Sequence, residues 1–205
     1  MRIFITLLFL LLAGFNGEIS AQPGQSHGEL ANQYFSTGEF EKAVVYFEKY
    51  YDQDPFGAYN GYLQCLIKVK EYDKAEKLVK KQMKRIPQDP SLKIDLGAIY
   101  ELQEEPEKAK KVYTEAIKNL SPDINQVNLL GNGFTRRQQL DYTVETYLQG
   151  RKLLKGAYPF SFELAEAYAQ LGKFPEMVNE YIEMIDFNPG YLPNIQTILQ
   201  NKIGN

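Results

Sequence analysis

Leu164-Ala165-Glu166-Ala167-Tyr168-Ala169-Gln170-Leu171-Gly172-Lys173-Phe174 is the stretch from which the fold can be read. Leu164, Ala165 and Tyr168 stand at i, i+1 and i+4, which lines one face of an α-helix. Gly172 stops that helix, and Phe174 supplies the apolar residue that opens another. The same pattern stands near the start of the chain. Leu30, Ala31 and Tyr34 form the first stripe, Gly38-Glu39-Phe40-Glu41-Lys42-Ala43 the turn, and Ala43, Phe47 and Tyr50 a second stripe at i, i+4 and i+7. The unit is therefore two amphipathic helices joined by a short turn.

Between these two copies the pattern recurs at a fixed period. Tyr34, Leu66, Tyr100, Phe134 and Tyr168 are separated by 32, 34, 34 and 34 residues. The same offsets connect Phe47, Val79, Tyr113, Tyr147 and Tyr181, and also Ala43, Ala75, Ala109, Thr143 and Met177. A further series runs Leu30, Tyr62, Leu96, Leu130 and Leu164, each followed by Ala31, Leu63, Gly97, Gly131 or Ala165. Pro55, Pro87, Pro122 and Pro189 mark unit boundaries, where a helix cannot continue. Several independent series sharing one period define a repeat architecture.

On these residues the sequence resembles the tetratricopeptide repeat family, over about residues 24 to 191, and is identified as an exported bacterial member. Five units are expected, at about 24–55, 56–89, 90–123, 124–157 and 158–191. Residues 192–205 form a capping helix or the start of a sixth repeat: Ile198 and Leu199 keep the register of Leu164 and Ala165, but Lys202 stands where Tyr168 would recur. The chain departs from the family pattern at Thr143 and Met177, which replace a small Ala, and in the shortened first unit. The resemblance implies an all-α fold, a right-handed superhelix of antiparallel helix pairs whose first helices line a concave groove. Physics independent of the name points the same way, because one pair is too thin to bury both faces and must stack.

First-helix residues left over after the packing stripe is assigned are the candidates for that groove. They are Asn32 and Phe35 in the first unit, Asn60, Gln64 and Lys68 in the second, Asn128, Asn132 and Arg136 in the fourth, and Phe162 and Glu166 in the fifth. A row of amides can donate to and accept from the backbone of an extended peptide, and Lys68 and Arg136 favour a nearby carboxylate. The family's clamp for acidic chaperone tails is not present: Asn32 matches it, but Gly28, Gly61, Ser91 and Asp95 occupy its other positions.

Residues 1–21 have the layout of a secretory signal: Arg2, then the charge-free run Ile3 to Ala13, then Ser20-Ala21 before Gln22. The run is shorter than the about 20 residues a membrane-spanning helix needs. Cleavage after Ala21 and a periplasmic or secreted mature chain, with no stable membrane insertion, are the expectation. A net charge of −3 speaks against a nucleic-acid partner. The single Cys, Cys65, lies among Leu63, Leu66 and Ile67 and reads as a buried apolar residue; an intermolecular disulfide or a reactive thiol would need exposure.

No catalytic constellation is legible. His27 is the only histidine, no metal-ligand spacing occurs, and no cofactor is expected. Gly131-Asn132-Gly133 lacks the rest of a phosphate loop and suits close helix packing. Lys70, Lys74, Lys77, Lys81 and Lys84 form one stripe opposite Ala75, Leu78, Val79 and Met83, as a solvated outer face does. Residues 66–85 carry a net charge of +5, and residues 160–190 carry −5. The function expected is a non-catalytic protein–protein interaction scaffold of the cell envelope that holds a protein or extended peptide in its groove. The alternative is the N-terminal binding arm of a larger envelope enzyme or secretion machine.

Overall fold

The structure, a computed structural model, describes residues 26–203. The expected export signal lies outside those residues. Among the described residues there are eleven α-helices and no strand. The first ten form hairpins: α1 (His27–Ser36) with α2 (Phe40–Gln53), α3 (Pro55–Lys68) with α4 (Tyr72–Arg85), α5 (Ser91–Leu102) with α6 (Pro106–Lys118), α7 (Ile124–Arg136) with α8 (Leu140–Leu153), and α9 (Ser161–Gln170) with α10 (Phe174–Phe187). A 3₁₀ turn, Pro189–Tyr191, leads into α11 (Leu192–Ile203). The hairpins stack into an all-α helical-repeat superhelix.

Side chains start several of these helices. Ser26 and Glu29 form a reciprocal capping box at α1, with N–H to oxygen distances of 2.8 and 3.2 Å. Asp54 accepts from the N–H groups of Phe56 and Gly57 at 3.1 and 3.0 Å, just before Pro55 opens α3. Asp123 caps α7 through the N–H of Gln126 at 3.0 Å.

The turn inside every hairpin has one geometry. Gly38, Lys70, Glu104, Gln138 and Gly172, spaced like the side-chain series, all have φ between +58° and +78°. The N–H that follows each donates five residues back, to the carbonyls of Tyr34, Leu66, Tyr100, Phe134 and Tyr168, at 2.8 to 3.0 Å. This left-handed stop with its 6→1 bond satisfies carbonyls that a helix end leaves free. The residues of the first packing series thus serve twice, by side chain in the core and by carbonyl in the turn.

Second-helix aromatics fill the space between helices. Phe47, Tyr113, Tyr147 and Tyr181 are each at most 2% exposed. Tyr113 and Tyr147 lie directly over Gly97 and Gly131, where a Cβ would overlap the phenol ring. The Gly-Asn-Gly stretch of α7 is thereby explained by packing, since Gly133 in turn admits Ile94. Cys65 is fully buried, so neither a disulfide to another chain nor a reactive thiol has access to it. At the end of the stack Ile195 of α11 joins Ala165, Met177 and Tyr181 in a separate small core, with Ile198 and Leu199 half-buried against it.

The junction between the last two hairpins is ionic. The guanidinium of Arg151 in α8 meets the buried carboxylate of Glu180 in α10 with two N–H donors, one of them at 3.2 Å. Its Nε donates to the Pro159 carbonyl at 2.6 Å, and Nη2 to Ser161 Oγ at 3.3 Å. Sequence periodicity gives no hint of this contact, because the two residues are 29 positions apart and off the repeating slots.

Candidate functional site

The first helices of the three middle hairpins enclose an open depression of about 560 Å³. The first turns of α3 and α5 form one wall, and the last turn of α7 forms the other. Capping fixes the wall residues: Asp54 sets the start of α3 and so places Phe56, while Asp89 accepts from the Ser91 N–H and hydroxyl at 2.9 and 2.6 Å and sets the start of α5.

Asp95 joins the three helices. Its Oδ2 accepts from the Tyr59 phenol of α3 at 2.9 Å, and its Oδ1 from Arg137, just past α7, at 2.8 Å. Burial, and then the Asp95 carboxylate, hold the Tyr59 phenol far above its ordinary range, so it remains a donor at any physiological pH. The depression holds two carboxylates and two guanidinium groups. Asp89 is used in the cap and Asp95 is paired with Arg137. Arg136, exposed and in no ion pair among the described residues, is the charge left to meet a ligand.

Of the ten expected groove residues, Asn60 and Arg136 line this depression together. Asn32, Gln64 and Lys68 are exposed on their first helices but do not line it, and Asn128 is half-buried. Phe35 faces the core: it is half-buried, edge-on to Phe40 and Phe47 at 5.6 and 6.4 Å. Asn132 and Glu166 each accept a hydrogen bond from a tyrosine of their own hairpin, Tyr147 and Tyr181, at 3.0 Å. Their carbonyl and carboxylate oxygens are therefore committed in part to the fold. Phe162, half exposed, belongs to a separate aromatic cup of about 410 Å³ with Tyr158, Phe187 and Tyr191.

Sequence reasoning missed Phe56, Tyr59, Asp95 and Arg137. A signal existed for one of them, since Ser91 and Asp95 repeat the i, i+4 step along α5; the pairing of Asp95 with a residue 42 positions later had none.

His27 sits on α1, with Nδ1 3.1 Å from the Gln53 amide nitrogen. Among the described residues no group of three or more His, Cys, Asp or Glu side chains is placed to hold a metal ion. No described helix is long and apolar enough to cross a membrane.

The family model described as tetratricopeptide repeat matches residues 24–56 and 91–119. No curated protein matches the chain. Among solved structures the chain is similar to the MamA protein, at 15% identity and a TM-score of 0.40, over 82% of this chain and 92% of that one. It is also similar to YrrB, described as a TPR protein with an unusual peptide-binding site, at 18% identity and a TM-score of 0.37, over 83% and 89%. The Naa15/Naa10 complex bound to HypK-THB matches at 16% identity and a TM-score of 0.41, over 80% of this chain and 26% of that one.

Proposed function

The chain is a tetratricopeptide-repeat protein, and from that premise we propose that it is a non-catalytic protein–protein interaction scaffold whose depression between α3, α5 and α7 holds an extended peptide segment. The observation that carries this reading is the Asp95 junction. It fixes three first helices relative to one another and leaves Asn60 on one wall and Arg136 on the other, both exposed. A preformed wall of this kind lowers the ordering cost of binding. Arg136 selects a segment with a carboxylate, and the Asn60 amide meets its backbone from either side.

The mature chain acts in the bacterial cell envelope. Support for export comes from Arg2 and the apolar run Ile3 to Ala13, followed by Ser20-Ala21. N-terminal sequencing of the protein from fractionated cells should begin at Gln22; a full-length chain confined to the cytoplasm overturns the envelope role.

Binding is tested by capturing partners from native envelope with the wild-type chain and with Asn60→Ala plus Arg136→Ala. Both side chains are exposed, so helix content should not change. Loss of the captured partner at unchanged helicity is the expected outcome. Equal capture by both forms places the binding surface elsewhere.

A further inference from the structure

The most deeply buried polar side chain of the depression is Gln82, near the end of α4, which lines it at 2% exposure. Its Oε1 accepts from the Tyr51 phenol at 2.8 Å. Arg85, a donor only, stands beside the same phenol, 5.6 Å from the ring centre, so the phenol hydrogen is the one that goes to the amide oxygen. The Gln82 amide nitrogen is thereby left over, and it donates to nothing among the described residues. Unlike the Tyr113 hydroxyl it is not sealed in, because Gln82 lines the depression.

An acceptor with spare capacity lies on the same wall. The Ile86 N–H bonds the Gln82 carbonyl at 2.9 Å, and the Asp89 N–H bonds the Ile86 carbonyl at 3.1 Å, which brings Asp89 round to line the depression with Gln82. Asp89 spends Oδ1 on Ser91, whereas Oδ2 accepts nothing among the described residues. Around this pair the wall is apolar: Ile86, the buried Leu92, and the ring of Phe56, which is 66% exposed.

We propose that the segment held in the depression inserts a tyrosine here, its ring against Phe56 and Ile86, its oxygen accepting from Gln82 Nε2 and its hydrogen donated to Asp89 Oδ2. The inference rests on the depression holding an extended segment, as proposed above, and names the side chain that it selects. An uncommitted donor beside an uncommitted acceptor is the complement of a hydroxyl, and the aromatic wall favours a phenol over a serine or threonine. Phenylalanine or leucine would strand both polar groups, which is how a site built for a hydroxyl rejects the analogue without one. A carboxylate would face Asp89 with a neutral amide as its donor. An ammonium would satisfy Asp89 and leave Gln82 without an acceptor. The volume of about 560 Å³ admits the ring, since about 150 Å³ already holds benzene.

Binding of peptide pools to the whole chain tests this. Each pool contains peptides of about twelve residues in mixed sequence, with one glutamate and a central position fixed as Tyr, Phe, Gln or Lys. The Tyr pool should be retained at least about tenfold more strongly than the Phe pool. Tyr51→Phe with Gln82→Met removes the buried hydroxyl and amide together at similar volume, so circular dichroism should be unchanged and the preference for Tyr over Phe should vanish. Asn60→Ala plus Arg136→Ala should instead weaken all pools and keep that preference. Retention of Phe or Gln as strong as that of Tyr overturns the tyrosine site while the peptide-binding depression stands. A Tyr preference that survives in Tyr51→Phe with Gln82→Met overturns it too, by placing tyrosine recognition elsewhere. No retention of any pool overturns the peptide-binding depression itself, and the tyrosine site with it. The wild-type ratio of Tyr to Phe decides the question even where the double variant does not fold.

Discussion

The phenol of Tyr147 passes over Gly131 and donates to the side-chain oxygen of Asn132 at 3.0 Å, so a residue of the outer helix layer holds one of the inner layer. One repeat later Tyr181 donates to Glu166 at the same distance. One repeat earlier the slot opposite Tyr113 is Ala98, whose side chain accepts nothing, and the Tyr113 hydroxyl is buried without a hydrogen-bond partner among the described residues. Burial, and then the nearby Glu101 carboxylate, push that phenol above its ordinary range.

One substitution should therefore have opposite signs in adjacent repeats. Tyr147→Phe removes a made hydrogen bond and is expected to cost about 1 kcal/mol, whereas Tyr113→Phe removes an unsatisfied buried hydroxyl and is expected to add up to about 1 kcal/mol. Urea unfolding of the two variants reads the difference. Equal losses would mean that the Tyr113 hydroxyl is bonded in solution.

The left-handed turn residues offer a test of backbone strain. Lys70, Glu104 and Gln138 hold φ near +60° with a Cβ, whereas Gly38 and Gly172 hold the same conformation without one. Gln138→Gly should stabilise by a few tenths to about 1 kcal/mol, the conformational relief outweighing the entropy lost with glycine. Gly172→Ala should destabilise by about 1 kcal/mol although no atom lies within 4 Å of the new Cβ, since only φ is at issue. Thermal melting separates the two signs.

Cys65 should be chemically silent in the folded chain. Burial pushes its thiol up to about 11, against about 8.5 for a free cysteine, so at pH 8 the thiolate is a trace species. Alkylation at pH 8 should be slow, should not follow the ordinary thiol titration, and should accelerate sharply when urea unfolds the chain. Rapid labelling under native conditions would place Cys65 at an accessible surface.

What could be read from the sequence followed from periodicity. The helix pairs, the buried aromatic slots and the small residues opposite them repeat at fixed intervals, so each unit reinforces the reading of the next. Asp95, Tyr59 and Arg137 escape because their union depends on how three hairpins are set against each other, and no single unit contains it. Asn132 and Glu166 were legible as first-helix polar residues, but the tyrosines that engage them reach through the layer from positions that sequence alone marks only as core. Phe160 shows the same limit: it is fully buried, with φ +53°, in a turn outside every repeating series.

Arg151 and Glu180 provide the test of how stability is distributed along the stack. Glu180 is only 7% exposed, so Glu180→Ala leaves a guanidinium that still bonds Pro159 and Ser161 but has lost its main counter-charge. Removing one member of such a pair is expected to cost about 3 kcal/mol, whereas replacing both, as Arg151→Met with Glu180→Leu, should cost less than either single change because no charge is stranded. In a solenoid each repeat contacts only its neighbours, so the damage should stay local. Hydrogen exchange of the Glu180→Ala chain should show faster amide exchange in α9, α10 and α11 while α1 to α6 keep wild-type protection. Uniform acceleration across all eleven helices would mean that the stack unfolds as one cooperative body, with the Arg151–Glu180 contact holding more than its own junction.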